Sequence, residues 1–97
     1  MPIISFEIPR VDGDSITITR KTDVIININK EVALDSLKVY YFKWISVNIT
    51  NRIKKYTKGN VINLKGANYD KGTHKFVFSG RLKNNTEFNQ QLEINVV

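Results

Sequence analysis

The chain has no cysteine, so no disulfide holds it together and no thiolate is available to a metal or a substrate. That absence fits a reducing compartment or a virion, and it is also common in extracellular bacterial β domains. Histidine is almost as scarce. His74 is the only one, so imidazole catalysis or a histidine-rich metal site would have to be built around a single ring. Long apolar runs are missing as well: the longest, Val39 to Phe42, has four residues, against the roughly 20 that a membrane-crossing helix needs. No membrane span is expected. Met1-Pro-Ile-Ile-Ser-Phe-Glu has no basic start, and Glu7 and Arg10 interrupt its apolar residues, so no signal peptide is expected either. The chain then either acts where it is made or is part of a longer exported protein.

What is present fits one folded domain spanning residues 1–97, since the chain has 97 residues with 41% apolar content and single β domains run to about 100 residues. A chain of this size has surface to bury for one core, not for a deep enzymatic cleft besides. Charge is unevenly placed. Residues 1–35 carry four basic and six acidic side chains, residues 36–86 eleven basic and one acidic (Asp70), and the last eleven only Glu87 and Glu93; these nets of −2, +10 and −2 sum to the overall +6. So basic a middle can attract an acidic partner. The plainer reading is that lysines on exposed strand faces and edges keep strands of different molecules from pairing.

Strand patterns dominate. Ile4, Phe6 and Ile8 share one face of a first strand that stops at Pro9, which lacks a backbone donor. Val11-Asp-Gly-Asp14 reads as a turn. Ile16 and Ile18 alternate with threonines, and Val24, Ile26 and Ile28 with polar or second-face residues, as half-buried strands do. Lys30–Leu37 is a connection with at most a turn of helix. Lys38–Ser46 is the most aromatic strand, and alternation groups Tyr40, Phe42 and Trp44 on one face, Val39, Tyr41, Lys43 and Ile45 on the other. The Tyr40–Trp44 face is expected to be core; it would serve as a carbohydrate-stacking platform only if it met solvent. Val47–Ile53 and Val61–Leu64 read as lesser strands. The end of the chain is the clearest part: Tyr69-Asp70-Lys-Gly72-Thr-His74-Lys-Phe76-Val-Phe78 enters one alternating strand, a polar loop with Asn84-Asn85 follows, and Phe88, Leu92, Ile94 and Val96 mark the last strand.

An Asp-x-Gly-x-aromatic corner between two such strands, preceded by Trp44 and by Val24–Ile28, resembles the immunoglobulin-like superfamily, including its bacterial, viral and polycystic-kidney-disease-type members. The resemblance implies an all-β, immunoglobulin-like β-sandwich of about seven to eight antiparallel strands, with Trp44 as the buried aromatic of the third strand. It also implies that Ile26 and Phe76 stand where antibody domains have paired cysteines, and that His74 stands where the corner usually has tyrosine. The fold by itself assigns no function.

No catalytic residues and no cofactor are expected. His74, on the inward face with Phe76 and Phe78, reads as a corner residue whose ring bonds to backbone. Asp12, Asp14 and Asp23 sit at turns, where Asp serves its own backbone, and Asp12-Gly-Asp14 falls short of the six to eight oxygens calcium takes. Asn48-Ile-Thr50 and Asn84-Asn-Thr86 match glycosylation sequons in an Asn-rich chain. The expectation is therefore a non-catalytic structural or surface-interaction module of a phage virion or bacterial surface assembly. It would bind a protein or an acidic surface, or a second copy, through Lys54, Lys55, Tyr56, Lys58, Tyr69 and Arg81. The alternative is a basic accessory protein that binds nucleic acid through residues 52–65, where Arg52, the lysines and Tyr56 combine charge with a stacking ring.

Overall fold

The structure, a computed structural model, describes residues 3–9, 13–42 and 44–97. Their strands are β1 (Ile4–Ile8), β2 (Ser15–Ile18), β3 (Asp23–Ile28), β4 (Lys38–Phe42), β5 (Ser46–Asn48), β6 (Thr57–Lys58), β7 (Val61–Lys65), β8 (Gly72–Arg81) and β9 (Glu87–Val96). One short helix, α1 (Thr50–Lys54), and two 3₁₀ turns, Leu34–Ser36 and Gly66–Asn68, complete the described elements. The protein is all-β, with a four-stranded sheet in the order β1-β3-β7-β6 and a five-stranded sheet in the order β2-β9-β8-β4-β5. The second sheet is mixed rather than wholly antiparallel, because β2 runs parallel to β9. No helix among the described residues is long and apolar enough to cross a membrane.

Side-chain alternation puts one face of each sheet into a shared core. Val24, Ile26 and Ile28 of β3 and Ile62 and Leu64 of β7 enter it from one sheet; Ile16 and Ile18, Phe76 and Phe78, and Leu92, Ile94 and Val96 enter from the other. Gln90 also points inward. Its amide accepts from the Ile4 N–H at 3.0 Å and donates to the Ile4 carbonyl. The last strand of one sheet thereby satisfies backbone groups on the outer strand of the other, which would otherwise invite another chain.

Three expectations are corrected. Ile8 is 58% exposed, because the β1–β3 register shifts between Phe6 and Ile8 and a shift of one residue exchanges the faces. Tyr40, Phe42 and Trp44 are not core: Val39 and Tyr41 take the inward face, and Trp44 is 90% exposed. Residues 47–53 are not continuous strand. After β5 the Asn48 side-chain oxygen accepts from the Thr50 N–H at 3.0 Å and its hydroxyl at 2.6 Å, an Asx turn that opens α1. Ile49 and Ile53 then lie four apart on one helical face, with Ile53 buried. The turn around Asp12 lies partly outside the described residues.

Two backbone positions show why particular residues stand there. Asn85 holds φ 70° in the loop between β8 and β9, as its short polar side chain allows. Gly66 opens the turn before β8 and donates its N–H to the Thr22 carbonyl at 3.0 Å. A Cβ at Gly66 would sit 2.4 Å from that oxygen and 2.7 Å from the Thr19 carbonyl oxygen, so only hydrogen fits. Gly66→Ala is expected to lower the unfolding free energy by about 1–3 kcal/mol, read from the urea midpoint. An unchanged midpoint would mean that the 19–22 turn yields to a methyl group.

Candidate functional site

The geometry around His74 begins with the corner that enters β8. The His74 ring is 3% exposed, and both nitrogens are engaged. Nε2 lies 2.7 Å from the Asp70 carbonyl oxygen, which can only accept, so Nε2 carries the proton. Nδ1 of the neutral ring is then an acceptor, and the Tyr41 hydroxyl donates to it at 2.5 Å. The ring nitrogen does bond to backbone, as expected at the corner. Tyr41, read as outward-facing, is half-buried in this bond instead.

Around this pair four rings meet. Tyr41 and Tyr69 each lie against both His74 and Phe76, with centroids 5.4 to 5.9 Å apart, a spacing at which tilted and edge-to-face rings attract. They floor a cleft of about 250 Å³ between the β5 edge and the Gly66–Asp70 turn, with Val47 and Ile49 on its wall and Arg52, Asn68 and Asp70 at its rim. Burial raises the Tyr69 phenol above its ordinary pKa; the Arg52 charge opposes this, and Tyr56 and Tyr41 add to it. Burial also raises Tyr41, with the Asp70 carboxylate acting the same way.

Beside the cleft, the β4–β5 hairpin presents apolar side chains to water. Phe42, Trp44, Ile45 and Val47 are 45%, 90%, 71% and 44% exposed, a run of large side chains at the outer edge of the five-stranded sheet. Val47 pairs with Tyr41 and so stands on the cleft face, while Phe42 stands on the other; four exposed large side chains within six residues of a sheet edge exceed the singly scattered ones of an ordinary surface.

The candidates chosen from sequence divide between two ends of the molecule. Lys54 closes α1, Lys55 and Tyr56 form the following turn, and Lys58 lies on β6, so these four occupy one exposed corner next to Arg52. Tyr69 joins this end through the ring floor. Arg81 does not: it ends β8, a ten-residue strand that spans about 30 Å at 3.3 Å per residue, and it pairs with Glu87 at 3.9 Å. The joint exposure of Phe42, Trp44, Ile45 and Val47 was not foreseen. Their signal was present in the carbohydrate-platform alternative, which required the opposite register. Among the described residues no three His, Asp or Glu side chains gather as a metal site requires; Asp12 lies outside them. Asn48 and Asn84, the sequon asparagines, accept turn hydrogen bonds from Thr50 and Thr86.

The chain matches no family model, no curated protein and no solved structure among those compared with it. What it can do has to be argued from the corner itself.

The raised Tyr69 phenol has a measurable consequence. The folded chain holds this proton more tightly than the unfolded chain does, so the stabilisation is whole below the unfolded value near 10 and is lost as pH rises through the raised folded value. Urea midpoints measured upward from pH 8 should fall more steeply above pH ~10 for the wild type than for Tyr69→Phe. Equal slopes would contradict a phenol held protonated by burial.

Proposed function

We propose that the chain is an immunoglobulin-like domain that works by binding, as a structural or surface-interaction module, and performs no catalysis. The strand order supports the fold class: β1-β3-β7-β6 against β9-β8-β4 follows the ABED and GFC order of that class, with β5 added beside β4 and β2 beside β9. Ile26 and Phe76 are fully buried, one on each sheet. The His74 bond to the Asp70 carbonyl takes the part of the corner tyrosine hydroxyl. The buried tryptophan of antibody domains has no counterpart, since Trp44 lies in water.

The observation that carries the binding reading is the exposed Phe42–Val47 hairpin. Interface energy concentrates in a few aromatic anchors, and Trp44 is such an anchor standing free. Ile45 and Val47 beside it favour a protein surface over a sugar, because their branched side chains offer no flat face for stacking. The setting we propose is a phage virion or a bacterial surface assembly, where a small contact domain with no cysteine and an Asn-, Ile- and Lys-rich composition serves as a joint. A second reading, nucleic-acid binding, draws on Arg52, Lys54, Lys55 and Lys58 coming together at one corner with Tyr56 exposed.

The readings separate by light scattering across protein concentration and salt, with and without a mixed-sequence single-stranded oligonucleotide. Burying apolar anchors gives association that survives high salt, either between copies or with the cognate partner, and Trp44→Ser should abolish it. The same substitution should leave stability within about 0.5 kcal/mol, because the indole makes so little of the packing. Nucleic-acid binding instead weakens steeply with salt, and Lys54→Ala with Lys55→Ala should flatten that slope by about 2. Salt-resistant association that ignores Trp44→Ser would count against the hairpin.

A further inference from the structure

The ring-floored cleft holds more donors than folding uses. His74 has both nitrogens occupied, and the Tyr41 hydroxyl is spent on one of them. The Arg52 guanidinium, the Tyr69 hydroxyl and the Asn68 amide, by contrast, have no hydrogen-bond or ion-pair partner among the described residues. Arg52 and Asn68 stand at the rim, and the Tyr69 ring forms part of the floor. A guanidinium, a phenol and an amide around an apolar floor suit a carboxylate, whose oxygens accept from several donors at once. Lys54 and Lys55 come two and three residues after Arg52 and add positive charge near the rim, against which stands Asp70, the one acid of residues 36–86 and itself a cleft residue.

Size narrows the ligand. At about 250 Å³ the space is below the roughly 300–1,000 Å³ of pockets that take drug-sized molecules, and it suits one amino-acid residue. Ring floor and donor rim must then be met by the same residue, which has to carry both a large apolar side chain and a carboxylate. Among ordinary protein residues that combination arises only at a chain end.

We infer that the cleft captures the C-terminal residue of a partner polypeptide, an aromatic or large aliphatic one. Its side chain lies on the half-buried rings of Tyr41 and Tyr69, and its terminal carboxylate on Arg52 and Tyr69. This inference rests on the contact-binding reading above and names the partner's chemistry at the same corner. The partner chain leaves the cleft past Val47, which brings it against the exposed hairpin.

Three probes test it: N-acetylphenylalanine, its amide, and N-acetyl-aspartyl-phenylalaninamide, each titrated into the isotope-labelled protein and followed by amide chemical shifts. The expected result is that the first shifts Val47, Ile49, Asn68 and Tyr69. Affinity should drop at least tenfold for the amide and equally for the first probe on Arg52→Gln, an exposed change whose fold is checked by its unperturbed spectrum. Acid and amide binding alike, shifts centred elsewhere, or an Arg52→Gln variant that binds normally would each overturn the inference. Tighter binding of the aspartyl amide would overturn the chain-end assignment in favour of an acidic side chain. The outcome is separable from the hairpin's role, because Trp44→Ser should leave probe binding intact. Association lost by Trp44→Ser with no probe bound would sink the cleft alone.

Discussion

One strand pairing governs the rest of this structure: Tyr41 lies directly opposite Phe76 in the β4–β8 ladder. Residues opposite one another in an antiparallel pair point to the same face, and Phe76 is wholly buried between the sheets. Tyr41 and Val39 are therefore turned inward, and Tyr40 and Phe42 outward. The Tyr41 hydroxyl then reaches His74, two residues before Phe76 on the same inward face, and completes the bonding that the Asp70 carbonyl begins. Shifting β4 by one residue would undo all of this together, leaving a buried imidazole nitrogen without a donor, at a cost of about 1–3 kcal/mol.

The same pairing builds both parts of the candidate site. Its inward face supplies the Tyr41 ring to the cleft floor, and its outward face, running on past the strand end, delivers Phe42 and Trp44 to solvent. The return strand β5 is short because the Thr50 hydroxyl takes over from it, accepting the Val39 N–H at 3.0 Å. That substitution ends the sheet, starts α1, and carries Arg52 to the cleft rim. An exposed apolar hairpin and a donor-lined cleft thus arise from how one edge of a sheet is terminated, with no added element.

How much of this was legible in the sequence depends on contrast between strand faces. β2, β3, β8 and β9 alternate apolar with polar, or have a clearly more apolar face, so the inward placement of Ile16, Ile26, Phe76 and Ile94 could be read directly. The His74 corner was legible from its position before Phe76 and Phe78. β4 offered no such contrast, because Val39 and Tyr41 are as apolar as Tyr40 and Phe42, and only tertiary pairing decides between the faces. The parallel alignment of β2 with β9 leaves no local mark, since it joins residues far apart in sequence. α1 is too brief for a helical period to emerge. At the site, the basic residues Lys54, Lys55 and Lys58 were visible as composition. The ring floor was not, because Tyr41 and His74 are 33 residues apart and meet only through the ladder.

The register of β4 is thus the central claim, and Trp44, the only tryptophan, reports on it directly. The measurement is its fluorescence in dilute, monomeric protein, with iodide as quencher. The account predicts the red-shifted emission of an indole in water and quenching close to that of N-acetyltryptophanamide. Blue-shifted emission that iodide barely reaches in the monomer would place Trp44 in the core, reverse the faces of β4, and remove both the hairpin surface and the Tyr41–His74 bond.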